Sequence, residues 1–359
     1  MELFKSAKNY IPKRPHFLGI VATLVWGLFC LWINQNLSNW TNGHTFGMSS
    51  LTLAILIGIL IGNTFYSGIE KPLSAGVGFV KGQILRLAIM LYGVKLTFID
   101  VASVGMPAIF SDVLILSFTF LLTYWLGIKL LKMDKQITIL MGAGASICGA
   151  AAVIATEPVV KPEPYKVTIA VATVVVFGTI AMLVYPMLYQ IGWLQPWLST
   201  QDYGIYIGST VHEVAQVVVA GNAVDTSVTS TAVITKMIRV MMLAPFLLVL
   251  SFVLVGNQQS QEIAFNQRVK QLQVPWFAFI FIFIVLLNTW LSLPKNILSV
   301  LVFIDNLLLT MAMFALGLTT HLSAIKQAGI KPLILGAIIF VWLVVGGGLV
   351  NVIIQSIFG

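Results

Sequence analysis

The chain has 359 residues, 58% of them hydrophobic and 9% charged, with 20 Lys and Arg against 12 Asp and Glu for a formal net charge of +8. So apolar a composition excludes a water-soluble globular domain, and basic residues gathered at the ends of apolar runs exclude the nucleic-acid partner that positive charge would otherwise suggest. The two cysteines, Cys30 and Cys148, lie far apart inside apolar segments and supply neither a disulfide framework nor a metal cluster.

Taken in order, apolar runs and helix breakers predict membrane spans over 17–35, 49–65, 74–97, 104–128, 167–191, 228–255, 275–293, 297–318 and 332–356. Residues 17–69, 136–156, 167–201, 240–261, 271–294 and 332–359 contain no Asp, Glu, Lys or Arg, and all of these runs reach the roughly 20 residues that cross a bilayer. Hydrocarbon satisfies no backbone polar group, so the spans are helices or a closed barrel. Continuous rather than alternating hydrophobicity rejects the barrel. The expected fold is an all-α polytopic membrane protein, a single transporter domain over 1–359. The first run follows a basic head (Lys5, Lys8, Lys13, Arg14) and resembles a signal peptide, but no small-residue cleavage site follows it, so it counts as a span.

Two segments fit either of two topologies: 136–156, rich in Gly and Ala, and 204–222, which carries His212 and Glu213. Counted as full spans they give eleven in all, and put Lys161 and Lys166 outside. Counted as re-entrant or broken helices they give nine spans with a cytoplasmic N-terminus. The basic loops, with Lys129, Lys132, Lys135, Arg268, Lys270, Lys326 and Lys331, then fall inside, and the charge-poor loops 36–48 and 192–203 fall outside. Loop charge favours the second arrangement.

An internal duplication points the same way. Gly144-Ala-Ser-Ile-Cys-Gly-Ala-Ala-Ala-Val-Ile-Ala155 aligns without a gap on Gly208-Ser-Thr-Val-His-Glu-Val-Ala-Gln-Val-Val-Val219. The segment from Ala88 to Thr97 aligns on Ala312 to His321 with Gly93 over Gly317. Inverted pairs of Gly-interrupted segments mark transporter binding sites, here within a first repeat over about 49–191 and a second over about 204–357, the second in permuted order.

Charges away from loop ends are few and costly, on the order of 3 kcal/mol each near the bilayer centre, which makes them functional candidates. Lys236 and Arg239 share a helix face and with Arg86 form a candidate cationic pocket for a tetrahedral or carboxylate anion; the plainer reading is snorkelling to headgroups, which suits Lys81 best. Gly144, Ser146, Gly208 and Thr210 are candidates to present backbone and hydroxyl donors to the same anion, against the plainer reading of close helix packing. His212 beside Glu213 suits proton coupling or gating; the alternative is a neutral His and a Glu paired to Lys or Arg. A zinc protease would need a second His where Gln216 stands, no nucleotide-binding loop is present, and Asp112, Asp305 and Glu262 have no obvious partner in the sequence. No enzyme and no cofactor is expected beyond a coupling proton or sodium ion. The expected partners are the small anion and the lipid bilayer.

The residues Gly144 to Val153, Phe177-Gly-Thr-Ile-Ala-Met with Pro186, Gly208 to Val218, Lys81 to Gly93, Lys236-Met-Ile-Arg239 leading into Leu243-Ala-Pro245, and Ala312 to Gly317 resemble the bacterial YeiH-type sulfate exporter family over nearly the whole chain. That family is similar to bile-acid-symporter and cation-antiporter-like transporters. The resemblance implies a bacterial inner-membrane protein with inverted repeats, alternating access of a core against a scaffold, and export of sulfate or a similar small anion. It is compatible with a homodimer. A sodium- or proton-coupled transporter of a larger sulfonate or carboxylate is the runner-up, to be distinguished by the size of the cavity at the repeats. A membrane enzyme or partner subunit is the third reading.

Overall fold

The computed structural model describes residues 11–40, 49–255, 276–291, 294–320 and 329–358. Lys5, Lys8, Glu262, Arg268, Lys270, His321 and Lys326, used above to read loop charge and repeats, lie outside the described residues. Every regular element among the described residues is helical. The first four are α1 (Phe17–Trp40), α2 (Ser50–Thr64), α3 (Tyr66–Phe79) and α4 (Leu85–Tyr92). Next come α5 (Phe98–Trp125), α6 (Lys135–Ser146), α7 (Ala150–Val160), α8 (Pro164–Gln190), α9 (Thr200–Thr210) and α10 (Val214–Asn222). The chain continues with α11 (Thr226–Met241), α12 (Leu243–Val255), α13 (Trp276–Leu291), α14 (Lys295–Leu318), α15 (Ile330–Val341) and α16 (Gly347–Phe358).

Seven stretches are long and apolar enough to cross a membrane: Arg14–Asn36, Gly68–Lys95, Phe98–Leu130, Pro164–Gln190, Thr226–Leu254, Lys295–Leu318 and Ile330–Phe358. Two further expected spans, 49–65 and 275–293, are the shorter apolar helices α2 and α13, of 15 and 16 residues. At 1.5 Å per residue each is about 22–24 Å long, less than the ~30 Å of hydrocarbon. The segments 136–156 and 204–222 are not continuous helices. Each is a pair of short helices joined by a three-residue break, α6 to α7 and α9 to α10.

The described chain forms two compact units, each drawing on both expected repeats. The first holds α1–α4 with α13 and α14. Its helices approach closely through small residues: Gly58 and Gly62 of α2 lie against the backbone of Phe314 to Leu318 in α14, and Gly19 of α1 lies against Gly76 of α3, so a Cβ at any of them would meet backbone. Without a hydrophobic drive between helices in lipid, such contacts supply the dispersion that holds a bundle. Among its described residues one ion pair reaches a buried carboxylate. Lys95 Nζ lies 2.7 Å from Asp305 of α14 and donates to Asn306 at 2.8 Å.

The second unit holds α5–α12 with α15 and α16. Its apolar core joins Ile115, Leu140, Met141, Val153, Val174, Leu335 and Ile339. The outer ends of α6, α7 and α8 are stitched together by polar groups. Asp134 caps α6, accepting from the backbone of Gln136 and Ile137, and Lys166 Nζ bonds Asp134 at 3.1 Å, Glu163 at 2.7 Å and Gln136 at 2.8 Å. Gln136 also donates to the carbonyls of Val160 and Lys161 at 3.3 Å, so the start of α6 and the end of α7 lie together. The other broken pair behaves alike: Gly204 near the start of α9 packs on Val228 and Thr231, while Gly221 at the end of α10 packs on Thr229. Each broken segment thus turns back on itself.

Candidate functional site

The two breaks are made by different local chemistry. At the first, α6 ends in Ile147 (φ −124°, ψ −83°) and Gly149 takes φ +69°, ψ −138°, a conformation open only to glycine. At the second, Val211 and Glu213 are extended (ψ 140° and 150°), and the Glu213 amide donates to Gln216 Oε1 at 3.0 Å to start α10. A helix that stops inside a membrane leaves carbonyls at one end and N–H groups at the other without partners. Here the carbonyls are taken by α11.

Lys236 Nζ donates to the carbonyl of Ile147 and to the carbonyl of Val211, both at 2.7 Å. These are equivalent positions of the duplicated segments, since Gly144 over Gly208 puts Ile147 over Val211. Arg239, one turn on, donates from Nε to the Ser146 carbonyl at 2.7 Å. Two cations therefore face the C-terminal, negative ends of α6 and α9, where the helix dipole favours positive charge. Lys236 and Arg239 follow Thr226 by ten and thirteen residues, about 15 and 20 Å along α11, which places them near the middle of a bilayer-spanning helix. Both are fully buried.

The guanidinium is only partly used. Arg239 Nη1 and Nη2 bond no group among the described residues. Nearby groups are equally unsatisfied: both carboxylate oxygens of Asp112 on α5, its neighbour Ser111 Oγ, and His212 Nδ1. Asp112 is buried, forms no ion pair among the described residues, and feels the charges of Arg239 and Lys236. Glu213 crosses from the second break to the first: its carboxylate accepts from the Ala150 amide at the start of α7 (3.3 Å), and its Cγ lies where a Cβ on Gly149 would be.

Of the nine residues singled out in the sequence, eight lie at these two breaks and on α11 in the second unit: Gly144, Ser146, Gly208, Thr210, His212, Glu213, Lys236 and Arg239. Arg86 lies on another part of the chain. It belongs to the first unit, is exposed, and lies 6.0 Å from the centre of the Phe277 ring. The glycines also differ from expectation. Gly144 is packed by Val153 and Val174, and Gly208 by the Ala232 carbonyl and Thr235, inside helices whose own turns use their N–H groups. The Ser146 and Thr210 hydroxyls donate back to Ala143 and Tyr206 of their own helices. The helix N-termini at the breaks begin instead at Ala150 and Val214. Asp112 is the residue the sequence left without a role.

A cavity of about 10 Å³ lies beside His212, walled by Thr123, Met141, Thr173 and Phe177, with room for about one water. A larger one of about 410 Å³ runs between α5, α6 and α12 along Leu116, Phe120, Phe246 and Leu250. It contains none of the candidate residues, and its apolar walls give an anion no hydrogen bonds apart from Lys135, Ser117 and Tyr124.

The sequence family described as conserved hypothetical protein 698 matches residues 18–336. Curated relatives include the UPF0324 membrane protein PM1461 of Pasteurella multocida, 55% identical over 311 residues (87% of this chain and 90% of the relative). The UPF0324 inner membrane protein YeiH of Escherichia coli K12 is 52% identical over 311 residues, 87% of each chain. A UPF0324 membrane protein of Haemophilus influenzae is 48% identical over 338 residues, 94% of this chain and 97% of the relative. No solved structure matches the chain.

Proposed function

We propose that this chain, which belongs to the conserved hypothetical protein 698 family, is a secondary transporter that carries sulfate or a similar small anion by alternating access. The observation that carries the proposal is Arg239: a guanidinium fully buried at mid-span, anchored through Nε to the Ser146 carbonyl, with both terminal nitrogens bonding no group among the described residues. An unsatisfied buried cation is costly, and the guanidinium fork matches the paired oxygens of an oxyanion. Soluble or structural roles for Arg239 would instead engage the fork.

In this reading the chain has nine spans with a cytoplasmic N-terminus, the two broken segments are re-entrant hairpins of an inverted repeat, and the relative's inner-membrane location applies here as well. At 12 and 11 residues, α6 and α9 reach about 16–18 Å, roughly half-way through the bilayer, which brings the breaks to the depth of Lys236 and Arg239. Lys236 fastens the two hairpin tips, Arg239 binds the anion, and His212 and Glu213 gate or couple. The space at His212 holds about one water, so anion entry requires the tips to part.

Labelled sulfate flux into proteoliposomes, with and without a pH gradient, tests this. Removing the fork in Arg239→Ala should lower flux on the order of a hundred-fold, the equivalent of about 3 kcal/mol of charge-assisted hydrogen bonding. Equal flux in Arg239→Ala, or none in folded wild type, would refute the assignment.

A further inference from the structure

The charge count of the buried centre carries a statement about coupling. On α11 stand Lys236 and Arg239. Asp112 from α5, His212 and Cys148 feel the charges of both, Glu213 from the second break that of Lys236, and Tyr185 that of Arg239. With both carboxylates ionised the centre is neutral before any anion arrives. An anion entering alone would leave uncompensated negative charge at mid-membrane, at a cost of several kcal/mol per charge. A proton arriving with it removes one unit of that charge.

The two carboxylates are not equivalent receivers. Glu213 is partly exposed and its carboxylate already accepts from the Ala150 amide at the positive end of α7. Asp112 is fully buried, and neither oxygen accepts a hydrogen bond from any described residue. No hydrogen bond to a described residue would be lost when it takes a proton, only its attraction to Arg239 and Lys236. The protonated carboxyl no longer repels an anion held by the unused terminal nitrogens of Arg239.

We infer that Asp112 is the proton-carrying group of the transport cycle: one proton binds Asp112 when an anion binds Arg239, and both leave together. The inference rests on the anion-transport reading above. It makes the protein an anion–proton symporter whose direction follows the combined gradients. Asp112 here is a coupling residue: it carries the proton that offsets the anion's charge, while Arg239 holds the anion.

Sulfate binding to the purified full chain, followed by calorimetry across about pH 5 to 8, is the test. A single linked proton weakens the apparent affinity about tenfold per pH unit once Asp112 is ionised in the empty protein. Asp112→Asn should keep sulfate binding while its pH slope falls by one such factor, and Asp112→Glu should restore the slope. Infrared difference spectra of wild type on sulfate addition should show a protonated carboxyl band, independently of any variant's folding. An unchanged slope in Asp112→Asn, or absence of that band, overturns the inference while leaving anion binding intact. No sulfate binding by wild type at any pH overturns the transport reading and this inference with it.

Discussion

In the first unit Lys95 meets Asp305 at 2.7 Å and turns its remaining donors to Asn306, so a buried charge is answered by a charge on the neighbouring helix. In the second unit Lys236 and Arg239 are answered by backbone carbonyls of interrupted helices, and Asp112, which feels their charges, forms no ion pair among the described residues. A direct pair is closed to outsiders: its Coulomb energy is already spent on its partner. Cations held by dipoles keep most of their charge available to something that comes and goes. In the transport reading proposed above, the first arrangement belongs to a scaffold and the second to a binding centre.

Variants that remove one side of each arrangement separate the two. The largest effect belongs to Lys236→Met, which strips the donor from two buried carbonyls at once. It should cost about 3–5 kcal/mol, read as a lowered unfolding midpoint in detergent, and an unchanged midpoint would show that the hairpin tips need no fastener. Next is Gly149→Ala. Its φ of +69° is strained for any side chain and the added Cβ meets Glu213, so about 2–4 kcal/mol should be lost, with flux falling alongside.

Asp305→Asn tests the scaffold. Loss of about 2 kcal/mol is expected, since Lys95 keeps Asn306, but sulfate flux per folded molecule should stay at the wild-type level. Reduced flux there would erase the distinction drawn between the units. The smallest effect lies at the rim. Burial raises the Asp134 carboxyl, but the amides of Ile137 and Gln136 and the Lys166 ammonium outweigh it and hold Asp134 below the usual carboxylate range. A depressed value means that its stabilisation is complete above the unfolded pKa near ~4 and fades as pH falls through the folded one. Asp134→Asn should therefore shift unfolding by under about 1 kcal/mol at neutral pH, and by nothing measurable in strong acid.

Much of this architecture is written locally. The breaks show in the sequence because Gly149 and the His212-Glu213 pair interrupt apolar runs, and the ungapped duplication already pairs Ile147 with Val211. The gathering of Lys236 and Arg239 on one face follows from their three-residue spacing. What the sequence does not disclose is which helix a face meets. Arg86 was grouped with those cations because it is another charge in an apolar run, yet its helix packs in the other unit. Asp112 went unassigned for the complementary reason: an acid alone in a long apolar helix has no sequence neighbour to name it, and its cations arrive only through tertiary packing. The roles of Gly144 and Gly208 depend on what sits across from them, which composition does not reveal.

The two hydrogen bonds from Lys236 also order the chain's own making. Ile147 emerges from the ribosome 89 residues ahead of the lysine that will cap it. At about 5–20 residues per second, the first hairpin spends roughly 4–18 s with a bare carbonyl at its tip. Over that interval the growing chain must shelter the loop in the translocation machinery or near the membrane surface. The second unit therefore matures last to first, its early segment seated by a residue translated after it.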